Sequence, residues 1–268
     1  IMAARAALHF WEEPCISGET GSGTVFFSGC VLRCVYCQNH NIAESRAGRI
    51  IGWERLSEIF LELQDKKANN INLVTPTHFV PQIALALERA KLGGLHIPVV
   101  YNTGSYERVE TLKRMEGLVD IYLPDLKYMS SRLGERYSHA ADYFETASAA
   151  IAEMVRQTDG PDFDDKSGLM KKGVIVRHLV LPGCTADSKK VISYLYHTYG
   201  DRIYISIMNQ FTPVCDLSSF PELNRRITAR EYEKIVDYAL DIGVENGFIQ
   251  EGNTAEESFI PEFDGEGL

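Results

Sequence analysis

Several things are missing from this 268-residue chain. No apolar run approaches the length needed to cross a bilayer, so no membrane-spanning helix and no membrane partner are expected. The first residues, Ile1 to Phe10, lack the long apolar core and cleavage site of a secretory signal, and a reducing cytoplasm is the expected compartment. Positive charge is scarce: 27 Lys and Arg stand against 37 Asp and Glu, a formal net charge of −10. Phosphate backbones are bound through basic faces, so this balance argues against a nucleic-acid partner. The six cysteines do not form the framework of a small secreted domain, because the chain is long and three of them crowd one stretch. No linker divides the chain, and one domain over 1–268 is expected, with 1–22 as an N-terminal extension and 251–268 as an acidic tail. The opening Ile1 ahead of Met2 is what a fragment would show.

What is present is a rhythm of short apolar runs and amphipathic stretches, in a composition of 45% apolar and 24% charged residues that is ordinary for a globular protein. The predicted strands are Val25–Phe27, Ile71–Val74, Ile97–Tyr101, Ile121–Leu123, Val174–Leu181 and Ile203–Met208, with a short one near Gly247–Gln250. Helical stripes separate them, such as Trp53, Leu56, Ile59, Phe60 and Leu63 at three- and four-residue spacing. Thr228 and Glu231 form a capping-box signature ahead of another helix. Asp159 to Gly168, with four Asp, one Pro and two Gly, reads as a mobile loop. Six strand–helix units in succession point to an α/β fold with buried parallel strands, either a partial barrel or an open sheet.

The chemistry gathers where strands end. After the first strand comes Cys30-Val31-Leu32-Arg33-Cys34-Val35-Tyr36-Cys37, three thiols in C-x-x-x-C-x-x-C spacing. Such soft ligands favour zinc or iron–sulfur over hard cations. A structural zinc site normally takes four ligands, and Cys184 and Cys215 are isolated. Electron-carrying clusters also use four cysteines, so three would leave one iron open. Cys15 reads as a small buried hydrophobe. Later strands end in Thr75, Thr77 and His78, in Asn102-Thr103, in Asp125 and Lys127, and in Asn209-Gln210. Asp125 and Lys127 alternate and share a side. In parallel α/β folds these groups would meet on one rim.

The cysteine motif, with an aromatic before its third cysteine, resembles the signature of the radical S-adenosylmethionine superfamily. Ser28-Gly29 and Gln38-Asn39 beside it resemble the pyruvate formate-lyase activating enzyme branch. Trp-Glu-Glu-Pro-Cys-Ile-Ser-Gly upstream and Thr-Pro-Thr-His after the second strand are similar to uncharacterised homologues of that branch. The resemblance spans about Trp11 to Gln250. It implies a partial (β/α)6 barrel resembling a TIM barrel, and a [4Fe–4S] cluster on Cys30, Cys34 and Cys37. S-adenosylmethionine would chelate the fourth iron. Its one-electron cleavage would give methionine and a 5′-deoxyadenosyl radical that abstracts hydrogen from a substrate.

Carried onto this chain, the resemblance implies Tyr36 beside the adenine, with Asn39 near it, and Lys127 of Asp125-Leu126-Lys127 on the methionyl carboxylate, a role suited to a point charge. Arg177 matches an arginine that reaches the cofactor. Asn102-Thr103 resembles an Asp-Thr step, and the Asn removes a carboxylate that a monovalent cation would use there. Activating enzymes carry Gly-Gly-Glu after strand two; here Thr75 and Thr77 are expected to meet the methionyl ammonium instead. His78 is open between a substrate-side group and a helix cap. Asn209 and Gln210 offer amides to ribose or adenine edges.

Implied partners are an electron donor, such as flavodoxin or ferredoxin, and a glycyl-radical enzyme whose backbone glycine gives up the hydrogen. A peptide or small metabolite as substrate uses the same machinery. A metal-binding interaction protein without turnover is the reading from a different class.

Overall fold

The computed structural model describes residues 1–250 and 261–268. Its strands are β1 (Met2–His9), β2 (Ser22–Phe27), β3 (Arg49–Ile50), β4 (Ile71–Val74), β5 (Val99–Thr103), β6 (Ile121–Pro124), β7 (Asp162–Phe163), β8 (Met170–Leu179), β9 (Tyr204–Met208) and β10 (Gly247–Ile249). The α-helices are α1 (Pro14–Ser17), α2 (His40–Ala43), α3 (Trp53–Asp65), α4 (Val80–Leu92), α5 (Val109–Lys113), α6 (Ser131–Ser138), α7 (Tyr143–Thr158), α8 (Thr185–Tyr199) and α9 (Ala229–Asp241).

Strands pair in the order β3-β1-β2-β4-β5-β6-β8-β9-β10, with β7 attached to β8. From β2 to β10 every neighbour along this path is parallel. Neighbours in space are therefore neighbours in strand sequence, the winding of a barrel, but β3 and β10 do not meet and the barrel stays partial. The helices that cross between strands bury one stripe each; α3 buries Leu56, Ile59, Phe60 and Leu63. The capping box of α9 is formed, with Thr228 Oγ1 accepting from Glu231 N at 3.2 Å and Glu231 Oε2 accepting from Thr228 N at 3.0 Å.

Two stretches differ from expectation. Met2–His9 is an antiparallel strand on β2, although its Ala-rich sequence carries little strand signal. Asp159–Gly168 is an ordered hairpin arm: Asp162 and Phe163 pair with β8, and Asp164 Oδ1 accepts from the backbone of Lys166 and Ser167 at 3.1 and 2.9 Å. Asp, Gly and Pro made this a turn, as read, but the aspartate ties the turn to itself. Of the expected tail, 251–260 lies outside the described residues. Residues 261–268 return to β1, where Ala4 O accepts from Gly265 N and Ala6 N donates to Glu266 O, while Phe263 meets Phe26 edge-on.

Alternation in the strands sets what faces inward. Val100, Ile121, Leu123 and Ile175 pack with Cys15 and Ile16, so helix α1 acts as an apolar floor inside the partial barrel. Two residues on along their strands come Asn102, Asp125 and Arg177; Asp125 is level with Arg177, and Asn102 with Leu123. The site is thus built on the inner face, just beyond the floor, at the carboxyl ends of the strands.

Candidate functional site

A cavity of about 250 Å³ lies at these strand ends. Cys30, Cys34 and Cys37 all line it, and all three are free thiols. Gly29, with φ at +104°, lets the chain turn out of β2 into the cysteine loop. The loop is then tied down by backbone bonds from Gly29 N to Ile42 O, Cys30 N to Ala43 O and Val35 N to Tyr137 O. Cys34 Sγ lies 2.9 Å from Ser138 Oγ, which in turn is 3.0 Å from the Tyr128 hydroxyl. Tyr36 lines the same cavity with its hydroxyl bonded to Tyr128, so the ring has a fixed tilt.

Burial pushes the Cys34 thiol up, outweighing the help of the Lys127 ammonium. Burial, with the neighbouring Cys34 and Cys30 sulfurs, pushes Cys37 up to about 12. Such thiols give up their protons to a metal rather than to water. Among the described residues no three His, Cys, Asp or Glu side chains gather tightly enough to hold a single metal ion.

Opposite the cysteines sits a charged frame. Lys127 Nζ is 2.6 Å from Asp125 Oδ2, and Arg177 Nε is 3.1 Å from Asp125 Oδ1. Burial opposes the charge on Asp125, yet Lys127 and Arg177 prevail and hold its carboxyl below the ordinary value. The same balance favours the charged Lys127, where the Asp125 carboxylate outweighs burial. Tyr143 locks the turn that carries the pair: its hydroxyl accepts from Lys127 N at 3.0 Å and is 2.8 Å from Asp125 O. The amino-acid end of a zwitterionic ligand would find both an ammonium and a carboxylate here.

Asn39, Thr75, Asn102, Thr103 and Gln210 also line the cavity. Thr77 and Asn209 are not brought to its wall. Thr77 points away, its hydroxyl donating to Glu107 Oε1 at 2.6 Å, a bond that Thr103 duplicates at the same distance. Asn209 is tied to Gln250, whose Oε1 accepts from its backbone N at 2.9 Å. His78 lies on the outer side of the cysteine loop, in a groove with Gly29 and Cys30. His178 is buried with Nδ1 2.7 Å from Leu126 O.

Three acids in and around the site were invisible to sequence reasoning. Glu12 Oε2 accepts from Arg177 Nη1 at 3.0 Å, and its Oε1 accepts from Asn72 at 3.0 Å and Asn102 at 3.3 Å. Glu13 beside it is also buried, and Glu107 stands behind the Thr77–Thr103 shelf. The signals for the first two were their place in the Trp-Glu-Glu-Pro-Cys-Ile-Ser-Gly likeness and next to Pro-Cys-Ile, an apolar stretch bound for the interior, and neither assigned them a role. Arg177 therefore spends its guanidinium on Asp125, Glu12 and Asn102, and joins β5, β6, β8 and the N-terminal segment in one network.

Comparisons with known proteins agree with this architecture. Residues 24–195 match the family described as the radical SAM superfamily. An uncharacterised protein of Methanocaldococcus jannaschii is 30% identical over 247 residues, covering 87% of this chain and 65% of that protein. Among solved structures, SuiB of Streptococcus suis bound to its precursor peptide SuiA is similar with a TM-score of 0.57 at 12% identity, over 85% of this chain and 48% of that one. HydG, a maturase of the [FeFe]-hydrogenase, is similar with a TM-score of 0.55 at 16% identity, over 92% of this chain and 56% of that one. The chain thus spans less than two thirds of the length of each of these relatives, and at such identities the two solved structures speak for the fold.

Proposed function

The chain belongs to the radical SAM superfamily of enzymes, and on that premise we propose that Cys30, Cys34 and Cys37 hold a [4Fe–4S] cluster beside a bound S-adenosylmethionine. The observation that carries this reading is the meeting of three free thiols with the Asp125–Lys127–Arg177 frame on one cavity. When bound, the two groups would supply one-electron cleavage of the sulfonium and hydrogen-atom abstraction from a substrate.

The chain's own residues hold and orient. Lys127 offers Nζ to the methionyl carboxylate, with Asp125 keeping it charged. Asp125 and the Thr75 end of β4 receive the methionyl ammonium. Tyr36 and Asn39 flank the adenosine, and Gln210 offers amide groups to its polar edges. Arg177 acts as a positioning residue: it fixes Asp125 and Asn102 at once. The half-buried wall limits water near the reacting atoms. An electron donor of the flavodoxin or ferredoxin kind would reduce the cluster from outside.

The Asp-Leu-Lys and Ser-Gly/Gln-Asn likenesses favour a glycine of a glycyl-radical enzyme as hydrogen donor. A second reading, modification of a peptide or small molecule, is favoured by a further cavity beside the first, described below. Anaerobic reconstitution tests the proposal. About four irons and four sulfides per chain are expected, with methionine and 5′-deoxyadenosine formed on addition of reductant and S-adenosylmethionine. Zinc in place of iron, or a reducible cluster that binds S-adenosylmethionine and never cleaves it with any substrate, would count against it.

A further inference from the structure

A second cavity, of about 310 Å³, lies between the Phe10–Pro14 segment and strands β9 and β10. It shares Glu12, Arg177, Met208 and Gln210 with the first cavity, so a ligand within it would neighbour the cofactor site. Phe248, Met208, Phe10 and Pro14 give it apolar walls.

Its polar feature is Glu13, which is 8% exposed. Ser206 and Glu13's own backbone N–H lie close enough to favour the charged carboxyl. Its Oε2 is buried and without a hydrogen-bond partner among the described residues. Arg177 gives one N–H from each of Nε, Nη1 and Nη2 to Asp125, Glu12 and Asn102, and none to Glu13 Oε2. Glu12 already accepts on both oxygens. A buried carboxyl oxygen with no donor costs stability, so for folding alone it is a defect. The surrounding charges are also in balance: Lys127 and Arg177 are matched by Asp125 and Glu12. Glu13 is the one buried acid of this group left over, and burial pushes its carboxyl up, with Arg177 opposing and Glu12 adding to the rise.

We propose that this cavity binds the primary amine or guanidinium of a substrate, with the nitrogen donating to Glu13 Oε2 and an apolar stem against Phe248 and Met208. A charged nitrogen there would favour the ionised carboxylate and form the charge-assisted bond that the empty oxygen lacks. A carboxylate in the same place would face Glu12 and Glu13, with only the second N–H of Arg177 Nη1 and Nη2 left to receive it. The amine belongs either to a free small molecule or to a basic side chain of a peptide. As a substrate pocket the cavity rests on the radical reading above; as an amine site it does not.

Calorimetric titration of the anaerobic, cluster-loaded protein at pH 8 tests it, with phenethylamine, 2-phenylethanol and phenylacetate as matched probes. The amine should bind at least about tenfold more tightly than the alcohol, and Glu13→Gln should abolish that preference. Phe248→Ala should weaken amine and alcohol alike, which keeps the apolar half testable if the Glu13 variant folds poorly. A Gly-Lys-Gly peptide beside its acetyl-lysine form separates the sources: tighter binding than phenethylamine supports a protein side chain, weaker binding a free amine. Equal affinity for all three probes, preference for phenylacetate, or an unchanged preference in the Glu13 variant overturns the inference. Cleavage of S-adenosylmethionine is scored separately. Protein that cleaves it without amine preference refutes only the amine site, and amine preference without cleavage refutes only the radical reading.

Discussion

Replacing Glu12 by Gln removes one negative charge from the network of Arg177, Asp125 and Lys127 while keeping the side chain's shape. The Glu12 and Arg177 side chains are 10% and 14% exposed, so water cannot readily replace the lost partner. Arg177 and Lys127 must then share Asp125 alone. Removing one partner of a buried pair costs about 3–5 kcal/mol; because Gln still accepts from Asn72, a value near the lower end, ~3 kcal/mol, is expected here. For a chain of this size that is a fall of roughly 6–12 °C in the thermal midpoint, measured by scanning calorimetry on the anaerobic protein at pH 7.5. Arg177→Gln should cost a similar amount, since it strands Glu12. The double variant leaves neither charge behind and should lose clearly less than the two single losses added together. A midpoint within about 2 °C of wild type for Glu12→Gln, or strict additivity in the cycle, would show that the network is solvated and that Glu12 does not hold Arg177.

Lys127→Ala should weaken S-adenosylmethionine binding about tenfold or more while leaving iron content unchanged; loss of iron instead would assign Lys127 to the cluster loop. His178 is held near a pKa of about 4, mainly by burial, with Lys127 adding and the Leu126 carbonyl and Asp125 opposing. The unfolded chain takes up this proton near pH 6.5 and the native one only near 4, so native stability is lost as pH falls through that window. His178→Asn should therefore flatten the pH dependence of the thermal midpoint between 6.5 and 4, and an unaltered slope would refute the assignment. Gly134→Ala, favourable on helix propensity alone, would push a Cβ into the carbonyl of Ala140, and a loss of about 1–3 kcal/mol is expected in place of a gain.

How far these features could be read from the sequence depended on the range of the interactions behind them. Strands β4, β5, β6, β8 and β9 were legible because parallel strands buried on both faces read as continuous apolar runs. The cysteine loop was legible because its meaning is local. Strand β1 was not, since its Ala-rich sequence gains its burial from β2 and from the returning chain end. Thr77 shows the limit at a single residue. A hydroxyl at a strand end looks ready for a ligand, and only the fold brings Glu107 to claim it. Nothing near Glu12 in sequence announces its role, because the partner that draws it inward lies 165 residues away. Sequence reasoning thus named groups that line the cavity more readily than those that hold them in place.

The return of residues 261–268 onto β1 bears on how molecules of this protein keep apart. Strand β1 pairs with β2 along one side, while β3 covers only Met2 and Ala3 on the other. The backbone of Ala4 and Ala6 would otherwise stand open to a strand from another molecule. Gly265 and Glu266 occupy those groups, and Arg5 adds ion pairs to Asp264 and Glu266. Pro261, a few residues earlier, lines the candidate cofactor cavity. The same short piece of chain thus covers the open edge of β1 and places Pro261 at the wall of the candidate cavity, so one element serves both the edge of the sheet and the mouth of the site.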